Sequence, residues 1–316
     1  MVESANFTLP TTDGISLYVY HWPLPQGQIP KAVIQIAHGM AEHAARYQRF
    51  AQVLVNAGYA VVANDHRGHG RSAQHQSDLG FFADHNGWER LVDDMELVNQ
   101  HIHTIYPDCP VILLGHSMGS FATQCYLAKY GNHVAAAVLS ATSDAPPRAL
   151  LAAGRIVAKL ERLRVGKRGR SKLLQKLSFG TYNKRIPHPN TEFDWLSKDL
   201  EEVKAYVYDP LCGFPICVQA WLDLFAGFAW MADPKARASI RKDLPMYIFA
   251  GDQDPVSNYL QGIHQLLADY RNVGLTNVDY KFYPSGRHEM LNEVERDEVM
   301  NSVVQWLDTT LLKISK

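Results

Sequence analysis

Three kinds of side chain, far apart in this chain, would together make an alcohol into a nucleophile. The first is Ser117, set between glycines in Gly115-His116-Ser117-Met118-Gly119. The apolar run Val111-Ile112-Leu113-Leu114 before it reads as a buried strand, and Ser120–Ala128 after it reads as a helix. A serine at such a strand-to-helix turn is lifted above the sheet. The N–H of the next residue, Met118, then points toward the place where an oxyanion would form. Gly115 and Gly119 have no Cβ to obstruct the close approach of strand and helix.

A serine hydroxyl is a poor nucleophile until a base takes its proton, and the base needs an acid to hold its tautomer. Both partners stand downstream, on loops that follow strand-like runs. Pro245–Ala250 leads into Gly251-Asp252-Gln253-Asp254-Pro255-Val256, and Val278–Tyr283 leads into Pro284-Ser285-Gly286-Arg287-His288-Glu289. His288 is the candidate general base. Two aspartates compete for the acid. Asp254 stands further out, with reach to His288, and is preferred; Asp252 sits close behind the strand, where it suits a turn cap. Glu289 reads as a residue that fixes the loop. The second oxyanion donor is the Met40 N–H, in His38-Gly39-Met40 after the early strand Ala32–Ala37. His66 and His69 are three apart in the loop Asp65–Ser72, without a helix or cysteine partners to complete a metal site. That loop is expected to brace the floor of the site, and no metal or organic cofactor is expected.

The elements that must position these groups alternate. A hairpin around Thr12-Asp13-Gly14 opens the chain, followed by strand Ala32–Ala37, a helix near Ala44–Ala57 and strand Tyr59–Ala63. A helix over Trp88–Ile105, the serine strand and helix, and strand Ala135–Ser140 come next. This order predicts an α/β fold with a mostly parallel, doubly wound sheet. The rhythm stops at Pro146-Pro147 and resumes at Pro245, with helical patterns between. The expected division is a core of residues 1–145 and 244–316 with a helical cap, or lid, inserted at 146–243.

Bulk properties narrow the options. The chain has 316 residues, enough for a sizeable core, and ordinary hydrophobic and charged contents of 47% and 20%. A net charge of -1 gives no global field to recruit nucleic acid. Four cysteines without CxxC spacing suggest free thiols in a reducing compartment. The opening Met1–Asn6 lacks the basic start and apolar run of a leader, and no run of 18 apolar residues spans a membrane. A cytoplasmic location is expected, with contact at a membrane surface left open.

The chain resembles the α/β-hydrolase superfamily, and within it the lysophospholipase/monoacylglycerol lipase branch of serine hydrolases. The resemblance is carried by His38-Gly39-Met40-Ala41-Glu42-His43 with Arg46-Tyr47, by Asp65–Ser72, by Gly115–Gly119, by Gly251–Val256, and by Gly286-Arg287-His288-Glu289 with Leu291-Asn292-Glu293. These pieces fall in family order and cover the whole core. The resemblance implies Ser117 as nucleophile, Asp254 as acid, His288 as base, and the Met40 and Met118 amides as oxyanion hole. Cap stretches Phe193–Ser197 and Asp209–Phe214 look similar to bacterial lysophospholipases.

Two cap features bear on substrate. The nearly all-apolar run Trp221–Met231 either packs cap on core or lines an acyl tunnel, with Trp221, Phe225 and Phe228 as candidate substrate contacts. Arg148–Arg185 holds twelve Lys or Arg against one acid, Glu161, spaced among Leu, Ile and Val. It reads equally as a face for anionic membrane and as a solvated face pairing with acids elsewhere. The function expected is hydrolysis of a single acyl chain from a small lipid ester, a lysophospholipid or monoacylglycerol. A carboxylesterase or thioesterase on small soluble substrates is the alternative, and a non-catalytic ligand-binding protein is the rival from another class.

Overall fold

The computed structural model describes residues 4–314; residues 1–3, part of the opening read above, and 315–316 lie outside it. The hairpin forms as strands β1 (Ala5–Pro10) and β2 (Ser16–Trp22), paired antiparallel. Strands β3 (Val33–Ala37), β4 (Ala60–Asn64), β5 (Val111–His116), β6 (Ala136–Ser140), β7 (Met246–Gly251) and β8 (Val278–Tyr283) are all parallel to one another. The sheet order is β1-β2-β4-β3-β5-β6-β7-β8, with β2 antiparallel to β4.

Side-chain alternation gives the sheet two buried faces. Val33, Val111 and Leu113 face helices α2 (Gly87–Ile105), α3 (Met118–Tyr130) and α9 (Gln261–Asn272). Ile34, Ile36, Ile112 and Leu114 face α1 (Gln48–Asn56) and α10 (Arg296–Ile314). After β3 the chain turns to β4 on one side and then crosses to β5 on the other. The strand order therefore reverses between β3 and β5, which opens a crevice at their carboxyl ends. The loops that follow β3, β5, β7 and β8 carry Met40, Ser117, Asp254 and His288.

Between β6 and β7 the described residues contain no strand but five helices: α4 (Arg148–Val165), α5 (Lys172–Phe179), α6 (Leu200–Tyr208), α7 (Val218–Met231) and α8 (Pro234–Ser239). Helix α7 is apolar nearly all round because it is sandwiched between α4 on one side and α2 and α3 on the other. Gly227 permits the α2 contact, since a Cβ there would strike the Trp88 indole. The basic run is mixed. Arg168 pairs with Asp78, Lys167 with Asp84 and Arg164 with Glu161, whereas Arg155, Lys159, Lys172 and Lys176 make no ion pair among the described residues. No helix of the described residues is long and apolar enough to cross a membrane.

Candidate active site

Ser117 occupies the turn between β5 and α3 with φ 51° and ψ −119°, a conformation that strains a residue with a Cβ. The turn is enforced by contact. A Cβ on Gly119 would collide with the Ala37 carbonyl oxygen at the end of β3, and one on Gly115 would come within 2.5 Å of the Gly119 oxygen. The Met118 N–H, in the first turn of α3, has no intrahelical acceptor.

The loop after β3 lies against the serine: a Cβ on Gly39 would be 3.3 Å from Ser117 Cβ. Its peptide orientation is fixed by two histidines. The His66 N–H donates to His38 Nε2 at 2.9 Å, so the neutral ring carries its proton on Nδ1, which donates to the Gly39 carbonyl at 2.7 Å. In a trans peptide the next N–H points the opposite way, so turning the Gly39 carbonyl toward His38 sends the Met40 N–H away from it. The Gly39 N–H donates to Glu42 Oε1 at 2.5 Å. Glu42 Oε2 in turn accepts from Arg46 at 2.6 Å, and Arg46 makes two 2.7 Å bonds to Glu289. Thus Glu289 ties the His288 loop to the Gly39 loop. Burial alone would raise the Glu289 carboxyl, but Arg46 outweighs it and holds that pKa down at about 2.

The loops after β7 and β8 touch backbone to backbone. Gly251 has no room for a Cβ beside the Gly286 carbonyl, and the Gln253 N–H donates to Gly286 O at 2.9 Å. Asp252 Oδ1 accepts the Ser285 N–H at 2.9 Å, so this aspartate braces the loops. Asp254, fully buried, accepts from His288 Nδ1 at 2.9 Å and from the Val256 N–H at 2.9 Å. With its Nδ1 proton committed to a carboxylate, His288 presents Nε2 as the basic nitrogen. Burial lowers its pKa, but the charge and hydrogen bond of Asp254 prevail, and the ring sits above the ordinary 6.5. The ring lies 5.0 Å from that of His116, the residue before Ser117. His116 does not compete as base, because burial, then His288, lowers its pKa to about 4. The Gly39 loop therefore lies against Ser117, and the Asp254–His288 pair lies beside His116, the residue before it.

Among the cap candidates, Trp221 is buried and packs 5.8 Å from Phe179 and 6.1 Å from Phe225. Phe228 instead lies edge-on to Phe121 of α3 at 5.2 Å, a core contact. An aromatic ring that does meet His288 is Trp195, 4.8 Å away in a short turn at Asp194–Leu196. Nothing in the residue pattern around Trp195 pointed to this contact.

Comparison with known proteins fits this geometry. Residues 28–295 match the family described as serine aminopeptidase, S33. The chain is 32% identical over 288 residues to a monoacylglycerol lipase of Mycolicibacterium smegmatis, covering 88% of each chain. It is 30% identical to a monoglyceride lipase homolog of Monkeypox virus, covering 94% of each. The solved structure of a thermostable carboxyl esterase from Bacillus coagulans superposes with a TM-score of 0.89 at 26% identity, covering 98% of this chain and 100% of that one. With a family match across most of its length, the chain belongs to the serine hydrolases of the α/β-hydrolase family, related to monoacylglycerol lipases and carboxylesterases.

Proposed function

We propose that the protein cleaves a single acyl chain from a small lipid ester, a monoacylglycerol or lysophospholipid, through an acyl-enzyme on Ser117. The observation that carries the reading is the Asp254–His288 pair beside a strained serine whose neighbouring loop is fixed by His38. Ser117 Oγ attacks the ester carbonyl while His288 Nε2 takes its proton, and the oxyanion rests on the Met40 and Met118 N–H groups. His288 then gives that proton to the departing alcohol. Water, deprotonated by the same nitrogen, attacks the acyl-enzyme and frees the carboxylic acid and Ser117. Asp254 stabilises the imidazolium at each stage without taking its proton.

A lipid acyl chain is supported by the relatives named monoacylglycerol lipase and by the cap aromatics Phe179, Trp195 and Trp221, which extend from His288 into the cap. Contact with anionic membrane is supported by Leu160 and Leu163 on α4 and Leu177 on α5, each 60% exposed or more, beside the unpaired Lys159 and Lys176. The second reading, an esterase for short soluble esters, is favoured by the likeness to the Bacillus coagulans carboxyl esterase. A fluorophosphonate probe tests the nucleophile: labelling of the wild type and none of Ser117→Ala is expected. Rates on acyl glycerols, lysophospholipids and p-nitrophenyl esters of graded length test the substrate. A hundredfold preference for short soluble esters would replace the lipid reading with the second one. Sedimentation with vesicles tests the cap, and equal binding to neutral and anionic vesicles would refute electrostatic docking.

A further inference from the structure

The candidate base is held from the cap as well as from the core. The cap strap 194–198 runs along the His288 loop and bonds to it at nearly every residue. Arg287 donates to the carbonyls of Asp194 at 2.6 Å and Ser197 at 2.8 Å. The His288 and Glu289 N–H groups donate to Trp195 O at 3.3 Å and Leu196 O at 2.7 Å. Ser197 Oγ donates to Asn292 O at 2.9 Å, and the Lys198 N–H to Glu293 Oε1 at 3.1 Å. The strap is itself anchored within the cap: the Trp195 N–H donates to Asn183 Oδ1 at 2.9 Å, and Asp194 accepts from the Asn190 and Thr191 N–H groups.

Side chains complete the clamp. His288 is 2% exposed, and its ring neighbours are His116 at 5.0 Å and Trp195 at 4.8 Å. Trp195 is backed edge-on by Tyr182 at 4.9 Å and stacks with Phe179 at 6.3 Å. Tyr182 is half-buried, and the loss of solvent, then the charge of nearby Asp254, pushes its hydroxyl pKa up. A single bond to Asp254 leaves an imidazole free to rock about that contact. A large ring against it removes the freedom and keeps water from the Nδ1–H···Oδ1 bond.

We propose that Trp195 is a positioning residue for His288: the cap strap fixes the imidazole on Asp254 and shields their hydrogen bond. The proposal rests on His288 being the base for Ser117.

The test compares Trp195→Ala, Trp195→Leu and Trp195→Phe, with folding checked by circular dichroism. Labelling by a small fluorophosphonate reads the serine and its base without an acyl tunnel. Trp195→Ala and Trp195→Leu are expected to reach full stoichiometry at rates at least about tenfold below wild type, as misplacement of a catalytic group entails. Their kcat on a short p-nitrophenyl ester should fall by the same factor, while Trp195→Phe stays near wild type. The low-field Nδ1 proton resonance of His288 should persist in wild type and Trp195→Phe and vanish by exchange in the other two. Should Trp195→Ala fail to fold, Trp195→Leu, which keeps apolar bulk, carries the same comparison. Unchanged labelling and short-ester kcat, with only KM for long chains raised, would overturn the proposal and make Trp195 an acyl-chain wall. Failure of the underlying reading looks different: the wild type would not label, or Ser117→Ala would label as fast.

Discussion

Ser117 holds a backbone conformation that costs a residue with a Cβ about 1–3 kcal/mol. Glycine adopts it freely, so Ser117→Gly should be inactive and yet more stable than Ser117→Ala by about 1 kcal/mol in urea unfolding. The two aspartates separate just as cleanly. Asp254→Asn should lower kcat by about 10⁴-fold, as loss of the acid does where it sets the tautomer of the base. Asp252→Asn, at a side chain bonded among the described residues to the Ser285 N–H and its neighbour Gln253, should leave kcat within a few-fold. With His288 as the proposed base, its neutral form is the working one; its pKa lies above 6.5, so activity should fall as pH drops, with a midpoint above 6.5. In Asp254→Asn the raising charge is gone, so the midpoint in a pH profile of kcat/KM should move down. At this scale the sequence was legible where chemistry left a local mark, such as a serine between glycines or an aspartate before a proline. Asp254, further out on its loop, is the aspartate that contacts His288. Trp195 was not legible, because its partner lies 93 residues away and no spacing rule links a cap turn to a core loop.

Among the elements, the contact of β3 with α3 does most to shape the crevice. Gly119 faces the Ala37 and His38 carbonyls with no space for a methyl group. Gly119→Ala should therefore destabilise the fold by more than about 2 kcal/mol, the size associated with overpacking and backbone displacement, as read from urea midpoints. Activity per folded molecule should fall too, because the same shift moves Met40 and Met118. The strands were plain in the sequence as short branched runs, since strands buried on both faces need apolar residues throughout. Helix starts were less plain. The helix expected from Ala44 begins as a 3-10 turn at Ala44–Tyr47 before α1, and α9 begins at Gln261 only after three residues with positive φ. Turns of that kind are set by tertiary contacts and leave little in composition. The apolar excess on α7 signalled burial, and only the structure shows that α4, α2 and α3 all share it.

In the whole molecule, four histidines are buried and neutral around the site. Burial lowers His38 well below 6.5, His66 to about 3, and His69 and His116 to about 4. The unfolded chain protonates all four near pH 6.5, whereas the folded chain does not, so stability is lost as pH falls below 6.5. His288 works in the opposite sense: its raised pKa adds stability below 6.5 that is lost as pH rises through the folded value. Each uncompensated proton is worth about 1.4 kcal/mol per pH unit, so the four together give roughly 5 kcal/mol per unit on the acid side. A domain stable by about 5–15 kcal/mol should then begin to unfold below about pH 5.5, visible as a steep fall of Tm with acidification. Replacing buried His66 by Gln should flatten that fall, a result that separates histidine titration from general carboxylate protonation.

Architecture of this kind invites recombination, since an insert between two strands can be cut out and exchanged for another. The bonds from residues 194–198 to the β8 loop argue otherwise. A chimera that takes a foreign lid at the β6 and β7 borders would discard the ledge under which its own imidazole rests. Grafts that retain this short native stretch should keep turnover, while wholesale transplants would gain a new acyl pocket and lose the proton carrier's footing.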